Sequence, residues 1–141
     1  MTLDWQGVKV GVMGLVEQEW LATLPLIEDK DVIYLDYIEE ARRLCKVLRE
    51  DEGAHLVVAL THMRVPNDLH LGAQVPGLDL ILGGHDHHYE VTASEPHGTL
   101  VVKSGTDFRE LTLLQITLGE AKPAVCCPIL LALPLHYFAA V

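Results

Sequence analysis

The chain has 141 residues, half of them hydrophobic, with 20 acidic and 10 basic side chains and a formal net charge of −10. This balance argues against DNA or RNA as a general partner, because a phosphate backbone is bound by a basic face. It leaves room for a small phosphate ester, whose charge a bound metal ion can neutralise. The length is sufficient for one domain with a real core.

The first predicted elements are a strand, a loop and a long helix. Residues 8–15 are apolar and rich in β-branched side chains, which favours a strand. Residues 17–31 show no clear period and predict a loop that contains at most one helical turn. Residues 34–50 carry the strongest helical pattern, with Asp36 at its start as an N-cap or first-turn residue and Gly53 beyond the C-terminal end.

Two further apolar runs alternate with a short helix. Residues 55–61 and 78–82 are almost wholly apolar, as expected for parallel strands that are buried on both faces. Between them, residues 66–73 begin with proline and indicate a short helix. The order strand, helix, strand, short helix, strand predicts an α/β fold with a parallel sheet.

The second half of the chain changes character. Residues 89–92, 100–103 and 110–118 indicate three strands separated by turns, which predicts an antiparallel meander. We therefore divide the sequence into a domain over residues 1–120 and an apolar tail over residues 121–141.

The tail has an unusual composition, because residues 124–141 carry no acidic or basic side chain other than one histidine. This length would allow a membrane span. Pro128 and Pro134 interrupt the segment and no basic flank anchors it, so the sequence argues against that role. A segment foreign to the domain explains the composition at least as well.

The compartment is left open by the sequence. Residues 1–7 are polar and turn-like, without the charged and then apolar regions of a signal peptide. The cysteines are odd in number and show no CxxC spacing, so reduced thiols are expected.

Histidine is the residue type that points to chemistry. Five of the eight histidines fall within residues 55–87. His62 follows the first apolar run, and a Gly-Gly-His-Asp-His motif that contains His85 and His87 follows the second. Ligands of open α/β sheets bind beyond the carboxyl ends of the strands. If the two strands are neighbours, His62 and His85 converge there, and His85 and His87 can serve two metal ions.

Four neighbours of these histidines are weaker candidates. Arg64 and Asn67 could contact a substrate phosphate, although a loop arginine and a helix-start residue explain them more simply. Asp86 could accept a hydrogen bond from a ligand imidazole, and a turn-forming role is equally open. His88 could line the rim of the site.

Two segments carry a family resemblance. Residues 59–68 (Ala-Leu-Thr-His-Met-Arg-Val-Pro-Asn-Asp) and 77–87 (Gly-Leu-Asp-Leu-Ile-Leu-Gly-Gly-His-Asp-His) resemble the last two metal motifs of calcineurin-like metallophosphoesterases. The likeness is greatest to the 5′-nucleotidase and UDP-sugar hydrolase branch and extends over residues 7–118. It implies half of the family's α/β/β/α sandwich, with parallel strands and a long helix followed by the antiparallel meander.

The resemblance also implies an activity, the hydrolysis of small phosphate esters such as nucleotides. The complete family site holds two divalent ions (Zn, Mn, Fe, Co or Mg) that activate water for in-line attack on phosphorus. His62 and His85 would bind one ion and His87 the other, where many relatives have glutamine. No residue of this chain is assigned a catalytic role beyond binding metal.

The sequence departs from the family pattern, because the Asp-x-His motif, bridging aspartate and Gly-Asn-His motif that lie upstream of these segments in family members are not found before His62. We therefore expect weak or single-metal binding and little or no turnover by this chain alone. One alternative is a non-catalytic, truncated product that binds metal or a partner chain. Another is a membrane-associated or non-functional product defined by the tail.

Overall fold

A computed structural model describes residues 1–24, 29–119 and 123–132, which form two sheets and three α-helices. The strands in chain order are β1 (Thr2–Trp5), β2 (Val8–Val16), β3 (Leu56–His62), β4 (Leu80–Gly83), β5 (Tyr89–Ser94), β6 (Thr99–Ser104), β7 (Glu110–Leu118) and β8 (Pro123–Ala132). The helices are α1 (Gln18–Leu21), α2 (Tyr37–Lys46) and α3 (Val65–Gln74).

The larger sheet has the order β1-β2-β3-β4-β6-β5. Its four central strands are parallel, whereas β1 and β5 are antiparallel strands at the two edges. The predicted α/β fold with parallel strands is therefore confirmed. The predicted antiparallel pairing is found between β5 and β6, but β6 also pairs in parallel with β4, and β7 pairs with β8 in a separate sheet.

The N-terminal residues differ from the prediction of a polar turn. Residues 2–5 form β1, which pairs with β2, and the turn is confined to Gln6 and Gly7, whose φ angles are 54° and 82°. An edge strand tolerates the polar residues that suggested a turn, since one of its faces is open to water. The predicted loop at 17–31 contains α1 and a short 3₁₀ turn, Asp29–Asp31.

Helix α2 is fixed at its start by the predicted N-cap. The carboxylate of Asp36 accepts hydrogen bonds from the backbone N–H groups of Ile38 (2.9 Å) and Glu39 (3.0 Å). The helix begins at Tyr37 and not at residue 34, because the capping residue itself is not helical. It continues into a π-helical turn, Val47–Asp51, before Gly53 reverses the chain with a φ of 68°.

Both faces of the large sheet are covered. One face packs against α2 and α3 in an aliphatic core that includes Ala41, Val57 and Ile81. The other face carries a second apolar cluster against which Leu114 and Ile116 of β7 pack. The layers are therefore helices, a six-stranded sheet and a two-stranded sheet, which agrees with the partial sandwich expected from the family resemblance.

Part of the apolar tail is strand. β8 pairs antiparallel with β7 from Leu118↔Pro123 to Glu110↔Ala132. Among the described residues, no helix is long and apolar enough to cross a membrane. The remaining tail residues, 121–122 and 133–141, lie outside the described residues, and the division of the chain at residue 120 stays a prediction.

Candidate metal centre

The carboxyl ends of β3 and β4 bring the two predicted histidine segments together. The strands are parallel neighbours, with Thr61 paired to Gly83. The N–H of Gly84 donates a 2.8 Å hydrogen bond to the carbonyl oxygen of Thr61, which extends the contact just past β4. His62 ends β3 and His85 follows this contact, so both imidazoles lie at the same edge of the sheet, as predicted.

The two imidazoles face each other. His62 Nε2 and His85 Nδ1 are 3.3 Å apart, and the ring planes are nearly perpendicular at 85°. Two nitrogens bound to one tetrahedral metal ion at about 2.0–2.1 Å would be separated by about 3.3–3.4 Å. The pair therefore fits two positions of a metal ion's coordination shell. The same spacing allows one neutral imidazole to donate a hydrogen bond to the other.

The electrostatic surroundings favour the neutral form of His62. Burial lowers the pKa of His62, and the neighbouring His85 and Lys103 lower it further, against an opposing effect of Glu17. A neutral imidazole is the form that binds metal ions. His62 is therefore available as a ligand without first losing a proton at neutral pH.

Two glycines allow the close approach of the second loop. A Cβ atom at position 84 would lie 3.2 Å from Nδ1 of His62, and one at position 83 would lie 2.8 Å from Oδ2 of Asp68. His85 itself has a φ of 77°, a left-handed conformation that is costly for a residue with a Cβ atom. The missing Cβ atom of Gly84 thus lets the loop approach His62, and that of Gly83 leaves room for Asp68.

Trp20 covers the histidine pair and was not singled out from the sequence. Its indole lies 4.2 Å from the His62 ring and 6.0 Å from the His85 ring, measured between ring centroids. The side chain reaches the site from α1, within a segment that shows no hydrophobic period. An apolar ring at this distance shields one side of the pair from water.

Lys103 was also missed as a site residue. Its side chain on β6 is fully buried, and its Nζ atom lies 2.7 Å from Oδ2 of Asp68 and 3.0 Å from Oδ2 of Asp86. The contact with Asp68 is an ion pair that leaves this oxygen without a well-aligned hydrogen bond. Burial raises the pKa of Asp68, although Lys103 and the hydroxyl of Thr61 oppose that rise.

Asp86 holds the loop after β4 in place through contacts with Val65 and Lys103. Its Oδ2 atom accepts a 2.9 Å hydrogen bond from the N–H of Val65 in addition to the contact with Lys103. Burial raises the pKa of Asp86, but the hydrogen bond and charge of Lys103 and the N–H of Val65 lower it by more. The carboxylate is therefore ionised at neutral pH, and the contacts described for it are to these two groups and not to an imidazole.

Arg64 and Asn67 meet a buried carboxylate that the sequence did not reveal. Glu17, at the end of β2, is 3% exposed and accepts hydrogen bonds from the side-chain amide of Asn67 and from the N–H of Arg64. The guanidinium of Arg64 pairs with Glu19 and lies 3.6 Å from Glu17. Both predicted substrate contacts thus sit beside the site with carboxylate partners of their own.

His87 and His88 follow His85 in the same loop. Both are exposed, and His88 pairs with Glu90 at 3.1 Å. Within the described ranges 1–24, 29–119 and 123–132, no group of three or more histidine, cysteine, aspartate or glutamate side chains is arranged to hold a metal ion. The pair formed by His62 and His85 is the part of the predicted trio that the fold brings together, and the role of His87 stays a prediction.

Curated proteins share part of this sequence. A trifunctional nucleotide phosphoesterase of Bacillus subtilis is 38% identical over 85 residues, which cover 60% of this chain and 6% of that protein. The apyrase of Tabanus yao is 30% identical over 99 residues (70% of this chain, 17% of that protein), and a 5′-nucleotidase of Vibrio vulnificus is 33% identical over 97 residues (58% and 17%). No protein-family model matches the chain.

Solved structures of two nucleotidases share the fold of this chain. The NAD nucleotidase of Haemophilus influenzae superposes with a TM-score of 0.78 over 94% of this chain and 30% of that one, at 17% identity. A 5′-nucleotidase precursor of Thermus thermophilus gives a TM-score of 0.72 over 94% and 29%, at 23% identity. At these identities the likeness shows a common fold.

The chain is similar in sequence to nucleotide phosphoesterases and 5′-nucleotidases, and it shares the fold of solved nucleotidases. Its matched segments span less than a fifth of the length of each of these three curated relatives. The structure therefore describes the surroundings of one pair of predicted ligands.

Proposed function

We propose that this chain supplies the histidine side of a divalent-metal site in a phosphoric ester hydrolase that acts on nucleotides. The observation that carries the proposal is the 3.3 Å separation of His62 Nε2 and His85 Nδ1 at the ends of two adjacent parallel strands. The names of the relatives, which include a nucleotide phosphoesterase, an apyrase and a 5′-nucleotidase, support nucleotides as the substrate class.

The three histidines would bind the metal ions, and Trp20 would shield them from water. His62 and His85 would hold one divalent ion through neutral imidazoles, and His87 would hold a second. A divalent ion in this position supplies Lewis-acid stabilisation of the charge that develops on a transferring phosphoryl group. Trp20 excludes water from one side of the pair, which strengthens electrostatic interactions there.

Arg64 is the side chain that we propose for contact with a substrate phosphate. It is half exposed, and its present partners are the carboxylates of Glu17 and Glu19. Glu19 is itself largely exposed, so exchanging this surface pair for a phosphate costs little. Asn67 is held by Glu17 beneath it and would keep the loop in place.

We expect this chain alone to turn over substrate weakly or not at all. Imidazoles carry no negative charge, and two metal ions held close together are stabilised by carboxylates placed between them. The alternative is a non-catalytic product that binds one metal ion or a partner chain.

Titration with Co²⁺ tests the metal site directly, because the visible absorption of Co²⁺ reports its ligands. We expect binding by the unmodified chain that is lost in His62→Ala and in His85→Ala. His70→Ala is the matched control, since His70 is an exposed histidine on α3. Equal binding by all four proteins would remove the basis of the proposal.

Turnover is measured separately with AMP and Mn²⁺ or Zn²⁺. We expect little or no release of phosphate by the isolated chain. Robust hydrolysis that disappears in His85→Ala would contradict the expectation of an incomplete site, while leaving the assignment of the metal ligands intact.

A further inference from the structure

We propose that Lys103 is a positioning residue that fixes the two histidine loops relative to each other. These loops are the segments at the carboxyl ends of β3 and β4 that carry His62 and His85. Lys103 thereby keeps the two imidazoles at the spacing that a metal ion requires. The inference rests on the proposed function, in which these two imidazoles are ligands. The contacts described for Lys103 are with Met63, Gly84, Asp68 and Asp86 and not with either imidazole.

The ammonium group of Lys103 bridges the two loops through their backbones. Nζ donates one hydrogen bond of 2.7 Å to the carbonyl oxygen of Met63 and another of 2.7 Å to that of Gly84. Met63 directly follows His62, and Gly84 directly precedes His85. A single buried cation therefore holds one carbonyl from each loop.

The residues on both sides of each histidine belong to the same network. Thr61, before His62, donates a 2.6 Å hydrogen bond to Oδ1 of Asp68, whose Oδ2 pairs with Lys103. Asp86, after His85, lies 3.0 Å from Nζ of Lys103. The position of each imidazole is thus set from both of its neighbours in sequence.

The burial of Lys103 requires an explanation beyond packing. Its side chain has no exposed surface, and removing an ammonium group from water is costly unless it is paired and fully hydrogen-bonded. An apolar side chain of similar length would fill the same space without that cost. It would leave the carbonyls of Met63 and Gly84 without this partner, whereas the three N–H donors of an ammonium group can hold both.

The sheet register makes room for this contact. Lys103 on β6 is paired with Gly83 on β4, so its side chain runs beside a residue that has none. A Cβ atom at position 83 would lie 3.0 Å from Nζ of Lys103. The absence of a side chain at Gly83 therefore leaves room for the side chain of Lys103 as well as for the turn.

A second ion pair, in which Asp79 is buried and Arg49 is partly exposed, provides the control. Arg49 pairs with Asp79 at the opposite ends of β3 and β4 and donates hydrogen bonds to the carbonyls of Ala54 and Gly77. Asp79 in turn accepts a 2.8 Å hydrogen bond from the N–H of Val57. This network ties the same strands together but contacts neither histidine loop.

The experiment compares Lys103→Met with Arg49→Met in the full chain. We expect Lys103→Met to weaken the affinity for Co²⁺ by about 10–100-fold, the usual effect of losing a group that orients metal ligands. Arg49→Met should leave the affinity within about twofold, because distant sites act independently. Circular dichroism establishes that both variants are folded. Equal loss of affinity in the two variants would overturn the positioning role.

The double variant Lys103→Met/Asp68→Asn separates positioning from stability. It removes Asp68, the more buried of the two carboxylates that the single variant leaves without their cation, so we expect the resistance to urea to recover in part while the Co²⁺ affinity stays low. Recovery of affinity together with stability would show that Lys103 acts only through the fold, and would overturn the proposal.

A readout without metal keeps this inference distinct from the proposed function. In the metal-free protein, we expect a nuclear Overhauser contact between the His62 and His85 rings that is retained in Arg49→Met and lost in Lys103→Met. If the unmodified chain does not bind Co²⁺, the proposed function fails, and this contact still decides the role of Lys103. Its persistence in Lys103→Met would contradict that role.

Discussion

The indole of Trp20 lies 4.2 Å from the imidazole of His62, with the two ring planes inclined at 48°. Trp20 comes from α1, outside the strand that carries His62, so the contact joins two separate segments at the site. The second tryptophan, Trp5, is 70% exposed on the edge strand β1. The chain therefore contains one tryptophan beside the histidine pair and one exposed on an edge strand.

This arrangement makes Trp20 fluorescence a sensor of metal binding. Co²⁺ quenches an indole within a few ångströms, so one equivalent should quench the emission of the Trp5→Phe variant strongly. The same addition should change the emission of Trp20→Phe, which retains only Trp5, by a much smaller amount. Similar quenching in the two variants would place the metal ion away from His62.

The histidine pair was predictable from the sequence because its geometry follows from general rules. His62 and His85 each come after an apolar strand, and parallel neighbours present their carboxyl ends at one edge of the sheet. The helix cap at Asp36 was predictable for a similar reason, since it depends only on residues in the first turn.

The groups that surround the pair were not predictable in this way. Lys103 ends an apolar strand where a lysine is normally solvated, and Glu17 precedes a helix where a glutamate is normally exposed. Their burial depends on partners that are distant in sequence, Asp68 for Lys103 and Asn67 for Glu17. A single sequence contains no signal for contacts of this range.

Glu17 should make the stability of the fold depend on pH. Burial raises the pKa of Glu17, but the hydrogen bonds from Asn67 and from the N–H of Arg64, with the Arg64 charge, lower it below the ordinary 4.5 by a larger amount. A carboxylate whose folded-state pKa is depressed stabilises the fold fully above that ordinary value. The contribution is lost as the pH falls through the folded-state pKa.

The Glu17→Gln variant tests this dependence. We expect it to lower the free energy of unfolding by about 1.5–3 kcal/mol near neutral pH, the size of a hydrogen bond to a charged group. The difference from the unmodified chain should shrink as the pH is lowered below 4.5, measured by urea unfolding at several pH values. Glu19→Gln, at a largely exposed position, is the control and should change stability by about 0–1 kcal/mol at any pH.

Gly72 should not tolerate a side chain, because α3 packs on the sheet at this residue. A Cβ atom there would lie 2.7 Å from Cβ of Ser94 and 3.2 Å from Cβ of Thr99, both of which are buried. The Gly72→Ala variant gains about 1 kcal/mol of helix propensity. Overpacking costs about 1–3 kcal/mol or more, so we expect net destabilisation in urea unfolding.

Gly14→Ala is the matched control for Gly72→Ala. Gly14 lies in β2, and a Cβ atom at this position would meet no atom within 4 Å. We expect its free energy of unfolding to equal or exceed that of the unmodified chain. A Gly72→Ala variant as stable as Gly14→Ala would show that α3 can move away from Ser94 without loss.

Cys45 should be unreactive in the folded protein. The thiol is 5% exposed in the core face of α2, and burial raises its pKa to about 11, with a smaller opposing effect of Arg49. Because the thiolate is the reactive form, both the low thiolate fraction and the burial slow attack on a disulfide reagent. In a Cys126→Ser/Cys127→Ser background, we expect no labelling of Cys45 under native conditions on the timescale in which a small thiol reacts fully, and complete labelling in urea. Rapid labelling without urea would mean that α2 opens from the sheet, and with it the core that supports β3 and His62.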